Sequence, residues 1–353
     1  MFGWVFAAVL AVSTPAMESD AQSESLAHVM VLPPVLRARL QDEVLAGSPS
    51  QRTRFNRLLH LVFDEKGLDL TYQDDATESV EQTYATRTAN CLSFTMLFLA
   101  LAREAGLDAY PQEIPETLAW HQDNDIFYRI DHINAIVRIG STGYLVDIAG
   151  NSVIALREPV RVSDQRLLAH FYNNLAMQNL EHDRIAPALQ NMSTALELDP
   201  SFATIWSNAG VLYLRNGDEA AAERAYAKAL ALEPANTSAL ANMANLAQRR
   251  GDHDREAEFR QRLERYQRND PFFHFLKAAD LEHMGDYPSA IEEYQRAIRL
   301  HDGEHRFYAA LAHAYVLAGD TEHAIKALAR AKWFSTGTTR AGYESQLDDM
   351  RKH

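Results

Sequence analysis

The chain has 353 residues, room for two or three ordinary domains, and 47% of them are apolar and 23% charged. That composition excludes a disordered chain, and a formal net charge of −14 argues against a protein that wraps nucleic acid or anionic lipid. A single cysteine, Cys91, excludes an intramolecular disulfide.

Met1 to Val12 are almost wholly apolar, and Ser13-Thr14-Pro15-Ala16 break the run. Residues 1–16 read as a signal peptide cleaved after Ala16, although no Lys or Arg precedes the apolar stretch; an uncleaved N-terminal anchor is the rival. The expected location is periplasmic or secreted, with cytoplasmic as the alternative. No other segment is apolar enough to cross a bilayer. The remaining chain is expected to hold a domain over 28–165, five repeats over 166–335, and a polar capping helix over 336–353.

From Leu32 to Asp64 the apolar spacing is helical, interrupted by Gly47-Ser48-Pro49-Ser50. Residues 64–81 carry seven acids (Asp64, Glu65, Asp69, Asp74, Asp75, Glu78, Glu81) against Lys66. This stretch reads as a solvated loop. As the rim of a site it would favour neutral or cationic substrates over anionic ones.

Next, Arg87-Thr88-Ala89-Asn90-Cys91 runs into an apolar helical pattern that ends at Gly106. Cys91 therefore starts a helix, where unpaired N–H groups and the positive end of the dipole favour a thiolate. The same N–H groups supply part of an oxyanion hole. Without partners, Cys91 would read as a buried small hydrophobe. The region from Tyr110 to Asp125 is expected to form a flap or substrate groove.

Phe127 to Ile139 alternates as one strand, Gly140-Ser141-Thr142-Gly143 turns, and Tyr144 to Ile148 returns, an antiparallel hairpin. His132 and Asp147 then neighbour one another across the ladder. Asp131 is the rival carboxylate, but alternation sends it to the face opposite His132.

A helix-start Cys, a strand His and an Asp fifteen residues later on the next strand resemble the transglutaminase-like superfamily. The strings Asn90-Cys91-Leu92-Ser93-Phe94 and Leu101-Ala102-Arg103-Glu104-Ala105-Gly106-Leu107 are similar to its bacterial members, some of which carry tetratricopeptide repeats. The resemblance covers roughly residues 80–150. It implies an α+β, papain-like domain with Cys91 as nucleophile, His132 as general base and acid, and Asp147 orienting the imidazole. The implied chemistry is acyl transfer through a thioester, that of a cysteine peptidase, amidase or acyltransferase. Gln82, Tyr84 and Trp120 are all open as the second oxyanion donor. No cofactor or metal is expected, since the histidines show no ligand spacing; His301 and His305 are expected to be exposed.

In the C-terminal half Gly-Asp recurs every 34 residues, at Gly217-Asp218, Gly251-Asp252, Gly285-Asp286 and Gly319-Asp320, with Asp183-Arg184 one period upstream. Thirty-four residues is the tetratricopeptide length, and the rest of the pattern falls in register: Trp206, Ala209-Gly210, Tyr213, Ala222, Tyr226, Ala229 and Pro234 in the second repeat. The third repeat is polar and Arg-rich, and its proline, Pro271, comes 37 residues after Pro234, so its second helix should extend or bulge. The fold class is thus an α+β domain followed by an all-α solenoid, whose concave face is expected to take a protein or peptide. Two functions are weighed: an exported thiol enzyme with recruiting repeats, and a non-catalytic assembly scaffold.

Overall fold

The computed structural model describes residues 28–47, 49–114, 120–123, 126–129, 132–148 and 157–352. The expected signal segment, residues 1–16, lies outside them. Contacts group the chain into two compact units, 1–117 with 131–208 and 118–130 with 209–353.

In the first unit Pro34 opens α1 (Pro34–Arg39), which runs on through a π-helical turn, Leu40–Leu45. After the expected break, Ser50 caps α2 (Gln51–Phe63), its Oγ accepting the Thr53 N–H at 3.2 Å. Leu36, Leu40, Val44 and Leu58 are fully buried. The acidic stretch is not all loop: β1 (Thr71–Tyr72) pairs in parallel with β2 (Thr88–Ala89), and α3 (Val80–Thr86) lies between them behind a Ser79/Gln82 capping box.

The central element is α4 (Cys91–Glu104), buried on nearly every face by Leu92, Phe94, Met96, Leu97, Phe98, Leu99 and Leu101. Gly106, at φ +69°, ends it as the sequence indicates. The helix packs on a four-stranded antiparallel sheet of order β7–β6–β3–β8, made of β3 (Asp108–Ile114), β6 (His132–Ile139), β7 (Thr142–Val146) and β8 (Val160–Arg161). The expected single strand from Phe127 is interrupted. Its first part, β5 (Ile126–Arg129), pairs instead with β4 (Trp120–Asp123) as a separate hairpin, and Ile130 and Asp131 lie outside the described residues. Of the Tyr110–Asp125 region, Tyr110–Ile114 belong to β3 and Trp120–Asp123 to that hairpin.

Two helices complete the first unit, α5 (Asp164–Glu181) and α6 (Ile185–Leu198). Arg103 of α4 makes a bidentate pair with Asp164 at 2.8 and 2.9 Å. Arg166 bridges Glu113 of β3 at 3.0 Å and Asp199 at 2.9 Å. Burial pushes the Glu113 carboxyl up, but His170 and Arg166 outweigh it and hold it down to about 2. The first helix pair is thus fastened to the sheet by charge, and its Leu167, Leu168 and Phe171 are buried.

The remaining helices are α7 (Ala203–Arg215), α8 (Glu219–Leu232), α9 (Thr237–Arg249), α10 (His253–Gln267), α11 (Pro271–His283), α12 (Tyr287–Leu300), α13 (His305–Leu317), α14 (Thr321–Phe334) and α15 (Gly337–Lys352). The Gly-Asp turns work by two local effects. Gly217, Gly251, Gly285 and Gly319 take φ between +71° and +82°, ending one helix in the left-handed region. The aspartates that follow cap the next helix, accepting from the N–H of Ala221, Arg255, Ser289 and His323 at 2.8–3.3 Å. At the first turn Asp183 itself adopts φ +55°, and Arg184 supplies no side-chain cap.

The degenerate third repeat keeps the 34-residue step, since α7, α9, α11 and α13 start at 203, 237, 271 and 305. Pro271 opens α11 and is not the counterpart of Pro234, and α10 is extended only to 15 residues against 14 in α8, α12 and α14. The last helix, α15, packs on α14 and buries Leu347 against the cluster of Leu311, Leu328 and Ala331. His301 and His305 are half-buried, not exposed: His301 packs on Phe307, and His305 Nδ1 lies 3.0 Å from the Tyr343 hydroxyl.

Candidate functional site

Asn90 is the N-cap that places the thiol. Its Oδ1 accepts the Ser93 N–H at 2.9 Å and its carbonyl accepts Phe94 N–H at 3.0 Å, leaving the Cys91 amide at the open end of α4. The Asn90 Nδ2 donates to Thr77 Oγ1 at 2.8 Å, while Ser93 Oγ donates to the Ala76 carbonyl at 2.9 Å and accepts Glu78 N–H at 2.7 Å. Residues 74–78 are thereby stitched under the helix start. Asn90 is buried; Cys91 keeps partial exposure.

The other two candidates come from β6 and just past β7. Ala135 pairs with Val146, so continuing the register sets Asn134 opposite Asp147, with His132 one diagonal step away on the same face. The structure brings them together: His132 Nε2 lies 2.7 Å from Asp147 Oδ2, with side chains only 8% and 9% exposed. With Nε2 engaged by Asp147, Nδ1 is the nitrogen that remains, and Cys91 is near enough to act on the charge of the ring.

Burial alone would lower the His132 pKa. The hydrogen bond to Asp147, and the action of Cys91 and Asp147 on the charge of the ring, raise it to about 9. The imidazole is therefore a cation at neutral pH, held between a carboxylate and a sulfur.

Two further residues carry no sequence signal. Asn134, fully buried, donates from Nδ2 to Asp147 Oδ2 at 3.3 Å and helps hold the carboxylate. Tyr72 stands opposite Ala89 across the β1–β2 ladder. Its phenol is pushed above the ordinary range by burial, then by Cys91, Asp74 and Asp147, so it keeps its proton. Of the residues weighed as oxyanion donors, Gln82 accepts the Ser79 N–H in the capping box, Tyr84 lies under the Arg87 guanidinium at 4.2 Å, and the side chain of Trp120 lies outside the described residues. Among the described residues no His, Cys, Asp and Glu group is placed to hold a metal ion.

The helix pairs of 34-residue period, with these turns, make the C-terminal half an array of tetratricopeptide repeats, a class that offers surfaces to proteins and peptides. Residues 203–236 and 275–336 match tetratricopeptide repeat family models. Among solved structures, the chain is similar to MamA, at 18% identity over 47% of this chain and 91% of that one, with a TM-score of 0.27. It is similar to YrrB, described as a TPR protein with an unusual peptide-binding site, at 20% identity over 50% and 92%, TM-score 0.27. A third is PilF of Pseudomonas aeruginosa, at 16% identity over 53% and 94%, TM-score 0.29. At these scores the neighbours add nothing to the repeat assignment. No curated protein matches the chain. No helix among the described residues is long and apolar enough to cross a membrane.

Proposed function

We propose that the chain is an exported, thiol-dependent acyl-transfer enzyme of the transglutaminase-like type whose repeats recruit a protein or peptide substrate. The observation that carries this reading is the placement of His132, bonded to Asp147 at 2.7 Å and close enough to Cys91, at the open start of α4, for each to act on the other's charge. Export rests on the apolar residues 1–16 alone.

In this reading Cys91 Sγ attacks an amide carbonyl carbon, forming the S–C bond as the carbonyl π pair moves to oxygen. His132 gives its proton to the leaving amine, and the C–N bond breaks to a thioester. Water or an amine then attacks with His132 as base, and Cys91 is released. Asp147 holds the ring and balances its charge throughout. Hydrolysis is the expected outcome, because water is the default acceptor where nothing excludes it.

A chain with Cys91→Ala should lose turnover of amide or ester substrates. Iodoacetamide at neutral pH should alkylate Cys91 faster in wild type than in His132→Ala. Normal turnover by Cys91→Ala would sink the enzyme reading. The second reading, a non-catalytic scaffold, is favoured by one observation: both family matches fall within the repeats. It expects the cellular role to survive Cys91→Ala and to be lost when the repeats are disrupted.

A further inference from the structure

Acyl transfer at Cys91 places negative charge on the former carbonyl oxygen, and the Cys91 amide supplies one donor to it. The polar side chains close to the thiol are nearly all committed elsewhere. Asn90 Nδ2 donates to Thr77 Oγ1, Ser93 Oγ to the Ala76 carbonyl, Thr95 Oγ1 to the Ile133 carbonyl at 3.2 Å, and Asn134 Nδ2 to Asp147. Tyr72 differs from all of these. It sits on the strand paired with the one that leads directly into Asn90 and Cys91, its register fixed by Thr71 N–H to the Arg87 carbonyl at 2.8 Å and Gln73 N–H to the Ala89 carbonyl at 3.0 Å. Its side chain is partly buried, 44% exposed, and near enough to Cys91 and Asp147 for both to act on the phenol.

From this geometry we propose that the Tyr72 hydroxyl is the second oxyanion donor, a catalytic residue for acyl transfer at Cys91. The proposal rests on the thiol-enzyme reading above. Asp74, which also acts on the phenol, is an exposed carboxylate. Water can replace the phenol on an exposed carboxylate at little cost, which frees the O–H to turn to the oxyanion as it forms. No proton leaves Tyr72 in the step. It stabilises the tetrahedral intermediate while His132 carries the proton to the leaving group.

The test separates two reactions of the same sulfur in the full-length chain. Alkylation by iodoacetamide is a displacement with no oxyanion, whereas acylation by p-nitrophenyl acetate passes through one. Tyr72→Phe keeps the ring. It should slow the Cys91-dependent p-nitrophenolate burst by roughly 10²-fold, seen in the rate constant and not in KM, and leave alkylation unchanged. Asp74→Ala should quicken the burst, by removing both the acceptor for the phenol and a like charge. Equal bursts in wild type and Tyr72→Phe overturn the Tyr72 proposal alone. Loss of alkylation together with acylation would make Tyr72 a support for the thiol and overturn it too. A wild-type burst that survives Cys91→Ala overturns the enzyme reading itself.

Discussion

At the scale of single residues, the decisive quantity is the proton on His132. Its pKa of about 9 is raised over the ordinary value of about 6.5 because Asp147 and Cys91 outweigh burial. A group whose folded pKa is raised binds its proton more tightly in the folded state, so its contribution to stability is complete below about pH 6.5 and is lost as pH climbs through about 9. The stability gap between wild type and His132→Gln, measured by urea unfolding, should therefore be widest near pH 6 and should shrink towards pH 9. In the proposed reaction that proton goes to the leaving amine, so kcat/KM should show an alkaline limb at about pH 9. A gap that stays constant, or widens with pH, would mean that the ring is neutral in the folded chain.

At the scale of elements, the repeats depend on close approach. A Cβ added to Gly210 would sit 2.3 Å from the Tyr226 ring, and Tyr226 is fully buried, so the ring has nowhere to go. Helix propensity favours Ala over Gly by about 1 kcal/mol, but overpacking a rigid core costs about 1–3 kcal/mol. The clash should win: Gly210→Ala should lower the unfolding free energy, and adding Tyr226→Leu should recover most of the loss. No recovery in the double variant would place the damage elsewhere. This packing was legible in the sequence, since the small residue at Gly210 has Ala176, Ala244, Ala278 and Ala312 as its counterparts, in step with the Gly-Asp turns. Cys91, His132 and Asp147 were legible for a related reason: residue type and spacing suffice to put them on a helix start and a hairpin. Tyr72 was not, because β1 is two residues long and exists only through its pairing with β2 inside a polar stretch. The break before His132 was equally hidden, for no Gly or Pro interrupts Phe127 to Ile139 although the backbone changes partner.

At the scale of the whole molecule, charge selects partners before contact does. The chain carries −14, and residues 64–81 concentrate seven acids beside the segment that underlies the Cys91 helix start, with Asp74 and Asp75 exposed. An anionic field of this kind raises the local concentration of cationic ligands and the rate at which they arrive. Two peptides of one backbone, one Lys-rich and one Glu-rich, should therefore differ in kcat/KM at low salt by roughly tenfold or more, the Lys-rich one faster. The difference should reside in KM, since the charge acts on encounter and not on the bond-breaking step. Screening length falls from ~30 Å at ~0.01 M salt to ~3 Å at ~1 M, so the advantage should disappear across that range. A preference that persists at high salt would instead require a dedicated pocket for the cationic side chain. A preference for the Glu-rich peptide would show that recognition overrides the field, and would move the search for specificity to particular side chains of the repeats.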